Sequence, residues 1–295
     1  MRGQFDLLIQ ICINGLAAGA MYSLVAVGYS LVYGVLRFIN FAHAASIAIG
    51  AYAFLTLTTY LGIPIVLAFL LASSLAGLFG WTLEKVAYHP LRRSSSLTPL
   101  LSGIAIAILI ENVLALAFGP APYRLSRSSE SDAIQLLGRY SILRVHLYML
   151  ASAGIAAMLL LIMLRYTSLG RRIRATAENL ELAQVRGIDT DNTISLVFVI
   201  GSFLAGVAGI LIAYETQVTP QIGFLPSIKG FIAALVGGLG NVGGTVIAGL
   251  LLGFFENVLV WQLPTVYKDS IAFVVLIGFL LFKPGGLFPN KWKRF

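Results

Sequence analysis

The chain has 295 residues, 58% hydrophobic and 11% charged, with a mean hydropathy of +0.90 and a formal net charge of +8. Soluble domains carry about a quarter charged residues, so this is the composition of an integral membrane protein and no soluble enzyme or nucleic-acid-binding domain. The excess of Lys and Arg marks loops kept on the cytoplasmic side.

The first apolar span is read over residues 7–33, about 40 Å long as a helix, so it tilts or extends beyond the lipid. Asn14 and Tyr22 are its polar members, and Gly15-x-x-x-Gly19 offers a small face for close helix packing. Cys12, the single cysteine, lies in the same span and can form no internal disulfide. The stretch from Arg37 to His43 then interrupts the apolar pattern. Asn40 and His43 sit at this break, where they either line a pathway or cap the break.

The second span is expected over 43–61 and the third over 63–83, with Pro64 near its start. The loop to residue 98 carries Lys85, Arg92 and Arg93. Span four, 99–118, holds the adjacent pair Glu111-Asn112. A mixed polar loop, 119–145, precedes span five at 146–164.

Residues 165–192 form the most polar long segment in the chain, with five arginines: Arg165, Arg171, Arg172, Arg174 and Arg186. Its alanines and long polar side chains favour a helix. Ile173, Ala177, Leu180, Ala183 and Gly187 recur at three- and four-residue steps and share one narrow face. Gly187 is a natural C-terminal stop. The segment reads either as a small-faced, arginine-rimmed plug for a groove on another protein or as a loop that only sets topology.

Span six is read over 193–213. The short apolar stretch 228–242 ends in a glycine-rich run, Gly237 to Gly244, and a span over 245–262 with Gly249-x-x-x-Gly253 and Glu256-Asn257 follows. The last span, 269–283, leads to the basic tail Lys291, Lys293 and Arg294. If 228–242 crosses, there are nine crossings, with the N-terminus outside and the C-terminus inside. Inside segments then hold 13 of the 20 Lys and Arg residues. The expected fold is therefore an all-α polytopic bundle of about nine crossings, one transmembrane domain over residues 1–295.

A faint internal repeat accompanies this pattern. Ala76-Gly77-Leu78 with Glu84 and Val86 matches Ala248-Gly249-Leu250 with Glu256 and Val258 at the same offsets. The two copies cross in opposite directions, the arrangement of inverted repeats in transporters.

Enzyme chemistry finds no footing. Gly238-x-Gly240-x-x-Gly243 spells a dinucleotide fingerprint, but it joins two membrane helices where that motif needs a strand and a crossover unit. Gly238, Gly240 and Asn241 read instead as helix packing or as open backbone beside a substrate. No Gly-Lys dipeptide exists for a phosphate-binding loop, and His43, His89 and His146 show no metal-ligand spacing. Glu111 and Glu256 are the carboxylates deep in spans, and a charge there is a functional hypothesis by default. Their neighbours Asn112 and Asn257 serve equally well as interhelical hydrogen bonders.

Asn14-Gly15-Leu16, Tyr22-Ser23-Leu24, Tyr33-Gly34-Val35, Asn40-Phe41-Ala42-His43 and Gly50-Ala51-Tyr52 form an ordered series. Gly187-Ile188-Asp189, Gly237-Gly238-Leu239-Gly240 and Pro284-Gly285-Gly286-Leu287 continue it. Together they resemble the LivH-type permease subunit of branched-chain amino acid ABC importers, across almost the whole chain. The resemblance implies a multi-pass inner-membrane protein working with a second homologous permease, two cytoplasmic ATPase subunits and an extracytoplasmic solute-binding protein. It implies no cofactor in this chain, ATP and Mg²⁺ being bound by the ATPase partners. Arg171, Arg172, Arg174, Ala177, Glu178, Leu180, Ala183, Gly187 and Ile188 match the region that meets the ATPase. One departure is that Ala44 and Ala45 follow the histidine where the family commonly has glycine and then an acidic or polar residue. Urea or short-amide permeases share the scaffold, and an ion-coupled secondary carrier is the alternative from another class.

Overall fold

The computed structural model describes residues 2–92, 94, 97–125, 133–136, 140–260, 268–283 and 285–288. Arg93, Arg127, Glu130, Asp132, Arg139 and the basic tail at 291–294 lie outside these residues. Eleven helices are described in order: α1 (Arg2–Leu36), α2 (His43–Leu55), α3 (Ile65–Leu83), α4 (Leu97–Phe118), α5 (Arg144–Tyr166), α6 (Ser168–Glu178), α7 (Leu180–Val185), α8 (Thr190–Glu215), α9 (Phe224–Gly237), α10 (Val242–Val260) and α11 (Lys268–Phe282). Between α4 and α5 an antiparallel hairpin pairs β1 (Ala133–Leu136) with β2 (Tyr140–Leu143), Ala133 opposite Leu143. The polar loop expected there is thus partly ordered as a ribbon.

Among the described residues six helices are long and apolar enough to cross a bilayer: Ile9–Leu36, Ile65–Tyr88, Leu97–Phe118, Arg144–Tyr166, Thr190–Glu215 and Val242–Leu259. Helices of that number, length and composition mark a multi-pass membrane protein. In lipid every backbone N–H and C=O must be satisfied within the protein, which leaves the helix as the only open-ended choice. The other apolar helices are shorter: α2 has 13 residues, α9 has 14 and α11 has 15.

Local chemistry sets the boundaries. α2 runs into a π-helical turn, Thr56–Tyr60, and the chain then reverses at Gly62, whose φ of +63° suits glycine. Thr167 caps α6 by accepting from the Gly170 amide at 3.0 Å, and Asp189 caps α8 by accepting from Asn192 at 2.9 Å. α1 ends at Arg37, the one non-glycine residue with positive φ (+55°) among those described. A non-glycine residue in that region costs about 1–3 kcal/mol and persists only where its surroundings impose it. Here it turns the chain sharply back along α1.

That reversal fixes the centre of the bundle. His43, the first residue of α2, packs against Gly28, so closely that a Cβ on Gly28 would meet its Cε1 at 2.5 Å. Gly28 lies eight residues from the end of α1, so α2 starts about 12 Å along that helix from its end. The other short helix behaves alike. After α8 ends at Glu215 the chain turns back, and Gly223, at the start of α9, sits on the Ala44 carbonyl. The beginnings of α2 and α9 therefore meet inside the bundle.

Around this point α1 packs on α8, α9 and α10, while α8 packs on α1, α2 and α3. α10 runs antiparallel to α1, with Gly19 against Leu250 and Gly15 against Phe254. α3 runs antiparallel to α8, with Gly80 against Ser202 and Ala76 against Gly206. Small residues let these backbones touch, the principal source of helix attraction where lipid removes the hydrophobic driving force. α4 stands apart: of its residues Pro99 and Gly103 are buried, and it leans on α2.

The Gly50–Gly206 contact joins α2 to α8, and a Cβ on Gly50 would lie 2.5 Å from the Gly206 Cα. Gly50→Val is expected to cost roughly 1–3 kcal/mol or more by overpacking, lowering the thermal midpoint of the detergent-solubilised protein. Gly154→Val, with nothing within 4 Å of its Cβ, should leave it unchanged. Equal midpoints for the two variants would contradict the packing described.

Candidate functional site

The junction of α2 and α9 is built on Tyr29 of α1. Its hydroxyl shares a 2.6 Å hydrogen bond with Ser227 of α9, and its ring lies 4.6 Å from the His43 ring and 5.8 Å from Phe231. His43 and Asn40 are buried behind it. Tyr88 donates to Asn40 Oδ1 at 2.7 Å, while Asn40 Nδ2 and His43 Nε2 find no partner among the described residues. Buried polar atoms left open in this way are rare and mark sites where water or a ligand group enters.

Beside this junction lies a cavity of about 300 Å³, bounded by the first turns of α2 and α9 and by the middle of α4. Phe41, Ala44, Ala45 and Ala48 form one wall, Ile104, Ala107, Ile108 and Glu111 the second, and Pro220, Gln221, Gly223, Phe224, Ser227 and Ile228 the third. The lining is apolar except for Glu111, Gln221 and Ser227. The two alanines that depart from the family pattern are both on it. A larger hollow of about 530 Å³ opens at the far end of α8 between Arg124, Leu125, Glu215, Thr216 and Gln217. It shares no lining residue with the first cavity.

Two charge clusters brace the helices. Lys229 of α9, buried, reaches Glu256 of α10 at 2.6 Å, Asp269 of α11 at 2.7 Å and the Tyr22 hydroxyl at 3.2 Å. At the end carrying α6 and α7, Arg92 contacts buried Glu84 and also Asp191 in the first turn of α8. Ser195 donates to the other Glu84 oxygen at 2.5 Å. Sequence reading missed Lys229, which stands second in the stretch 228–242. It also placed Glu256 on a pathway without its countercharge. The signal available was the residue itself, a lysine inside a stretch otherwise apolar enough to be a crossing.

The expected pathway residues scatter. Glu111 lines the cavity, and Asn40 and His43 sit behind it. Tyr22 belongs to the Lys229 cluster. Asn14 accepts from Gln10 at 3.1 Å, Asn112 is exposed and donates to the Ile108 carbonyl at 2.7 Å, and Asn257 donates to Gly253 at 2.9 Å. These three sit in or on their own helices and do not line the cavity. Gly238 and Gly240 have φ of +98° and +86° and turn the chain from α9 to α10. Asn241 accepts from the Gly244 amide at 3.1 Å at the start of α10, and its amide donates to the Phe288 carbonyl at 3.1 Å. This run is a turn held against α1, where the Ser30 hydroxyl accepts from the Gly240 amide at 3.0 Å.

The arginine-rich segment differs from the single helix expected. Asn179 breaks it by capping α7, its Oδ1 accepting from the Leu182 amide at 3.0 Å. Gly187, at φ +79°, ends α7 as foreseen, with the Ile188 amide returning to the Ala183 carbonyl at 3.0 Å. Ile173, Thr176 and Ala183 are buried against the bundle, Ala177, Leu180, Arg174 and Ile188 are half-buried, and Arg171, Arg172 and Glu178 are exposed. The small face expected to be an open plug is thus turned largely toward the protein itself. What it leaves outward is Leu182 (58% exposed) and Val185 (85%), beside Arg186.

Lys229→Met leaves Glu256 without its buried cation, a change expected to cost about 3–5 kcal/mol. Lys229→Met combined with Glu256→Gln should recover a good part of it. The thermal midpoint in detergent reads both. A double variant less stable than either single one would contradict the pairing.

The family model described as "Branched-chain amino acid transport system / permease component" matches residues 11–280. The high-affinity branched-chain amino acid transport system permease protein LivH of Escherichia coli (strain K12) is 35% identical over 97% of this chain and 97% of its own length. BraD of Pseudomonas aeruginosa, with the same description, is 38% identical over 95% of each chain. The solved structure "PsaBC from Streptococcus pneumoniae in complex with Fab" aligns with 91% of this chain and 88% of its own at a TM-score of 0.48 and 14% identity. Matching the family model over nearly its whole length, with relatives above 30% identity that it also spans almost completely, this chain belongs to the permease-component family of branched-chain amino acid transport systems.

Proposed function

We propose that this chain is the permease subunit of an ABC importer that passes branched-chain or other neutral amino acids into the cytoplasm. The observation that carries the reading is its likeness to LivH and BraD over nearly the full length of both. Transport is driven by ATPase subunits, which bind ATP and Mg²⁺; this chain needs no cofactor. A second permease, two such ATPases and an extracytoplasmic binding protein complete the assembly.

In this reading α2, α9 and α11 join the six longer helices to give nine crossings, with α6 and α7 in the cytoplasm and the N-terminus outside. α1–α4 and α8–α11 are inverted repeats. Three features support that symmetry. α1 packs on α10 as α8 packs on α3; α9 lies on α1 as α2 lies on α8; and the short helices α2 and α9 occupy equivalent places. Glu84 and Glu256, matched by the sequence repeat, are both buried and both hold a cation. An ion-coupled carrier would also hold charges at membrane depth, but Lys229 itself occupies the place between Glu256 and Asp269 that a transported cation would take.

The ATPase meets the outward face of α7, where Leu182 and Val185 are apolar knobs beside Arg186. Val185→Asp places a charge at that contact, and co-purification of the ATPases with the permease should fall at least tenfold, with permease expression unchanged. Undiminished co-purification would remove this face from the interface.

The function itself is read by uptake into proteoliposomes carrying the complete importer. Labelled leucine should enter in an ATP-dependent manner, and excess valine or isoleucine should compete while glutamate and urea do not. Competition by urea or glutamate, without competition by aliphatic amino acids, would contradict the substrate class.

A further inference from the structure

Setting aside Asp191 and Glu215 at the two ends of α8, three carboxylates lie within the six apolar spans, and they are not equivalent. Glu84 is held by Arg92 and Glu256 by Lys229. Glu111, fourteen residues into the 22-residue α4, forms no hydrogen bond or ion pair with any described residue and opens into the 300 Å³ cavity. A charged carboxylate at membrane depth is costly on every scale. Among the described residues the chain supplies cations to the other two and none to this one. That asymmetry calls for a cation from outside the chain.

The remainder of the cavity narrows what that cation belongs to. The first turns of α2 and α9 border it, and helix N-termini carry the positive ends of their dipoles, equivalent to about half an elementary charge each. Discontinuous helices that start at membrane depth present those ends to anionic groups of substrates in other transporters. Negative and positive ends thus share one small space, and the walls between them are methyl and aliphatic groups of Ala44, Ala48 and Ile108. The volume is at the lower limit of ligand pockets. An inorganic cation would satisfy Glu111 but leave the apolar walls without a partner; a free fatty acid would meet the carboxylate head-on.

We propose that this cavity is the substrate-binding site, taking one zwitterionic aliphatic amino acid. Its ammonium pairs with Glu111, its carboxylate faces the first turns of α2 and α9, and its side chain lies on the Ala48–Ile108 wall. The assignment rests on the amino acid import reading above and adds the site and each group's role. Glu111 then discriminates by charge, rejecting solutes that lack an ammonium group, such as urea.

The test uses the complete importer in proteoliposomes, with Cys12→Ser and Ile108→Cys in this chain. Alkylation at position 108 by a small maleimide is followed with saturating leucine, isoamylamine (leucine without its carboxylate) or isocaproate (leucine without its amine). The expected result is at least fivefold slowing by leucine, less than twofold by either analogue, and loss of leucine protection when Glu111→Gln is added. Leucine uptake by the Glu111→Gln importer should fall at least tenfold while ATP hydrolysis stimulated by the binding protein stays within twofold, so that misassembly is excluded by the second readout. Equal protection by isocaproate, no protection by leucine, or unchanged uptake in Glu111→Gln would each overturn the site while leaving the import reading intact. Failure of the importer with the unsubstituted chain to take up leucine at all would instead overturn the import reading.

Discussion

Lipid offers no hydrogen bonds, so a helix can begin at membrane depth only where protein surrounds its first turn. The rest of this fold follows from meeting that condition twice. α2 starts against Gly28 of α1, and α9 starts against Ala44, each brought there by a segment that turns back from the end of a long helix. α1 and α8 provide the enclosure, and they do so with small residues: Gly28 against Gly201, Gly50 against Gly206, Gly19 against Leu250. Larger side chains at those points would hold the helices apart, and the starts of α2 and α9 would face lipid or water. The cavity exists because α4, the least covered helix, leans against this junction without filling it.

Charge is arranged on the same frame. Lys229 binds α9 to α10 and α11 through Glu256 and Asp269, and Arg92 binds the end of α3 to the start of α8 through Glu84 and Asp191. Each clamp ties a carboxylate on a long helix to a cation on a neighbouring segment, and so fixes the position of the tied elements at its own end of the bundle. The second clamp lies directly after α6 and α7.

Much of this was legible in the sequence. The apolar stretches mark the helices to within a few residues, because composition in lipid leaves little choice of backbone. Gly187 announced the end of α7, and the matching Glu84 and Glu256 announced two carboxylates in like settings. The depth at which α2 and α9 begin was not legible, since residues 43–61 read equally well as a full crossing. The break at Asn179 was hidden inside a continuous helical pattern, and only the cap geometry separates α6 from α7. Lys229 was visible but unpartnered on paper, because Glu256 and Asp269 lie 27 and 40 residues away in the chain. Of the cavity, Glu111 alone carried a chemical signal; Ala44, Ala45, Ala48, Ile108 and Phe224 are ordinary apolar residues whose meaning comes from where two helices start.

That meeting of two helix beginnings inside the membrane is the central claim, and depth is its direct measure. A spin label placed singly at Ala45 or at Phe224, in the complete importer in bilayers, reports its depth through broadening by lipids labelled at graded positions along the acyl chain. Both sites should lie within a few ångströms of one another near the bilayer centre. A label at either site that reports the headgroup region, as expected of a helix that starts at the membrane surface, would contradict the account.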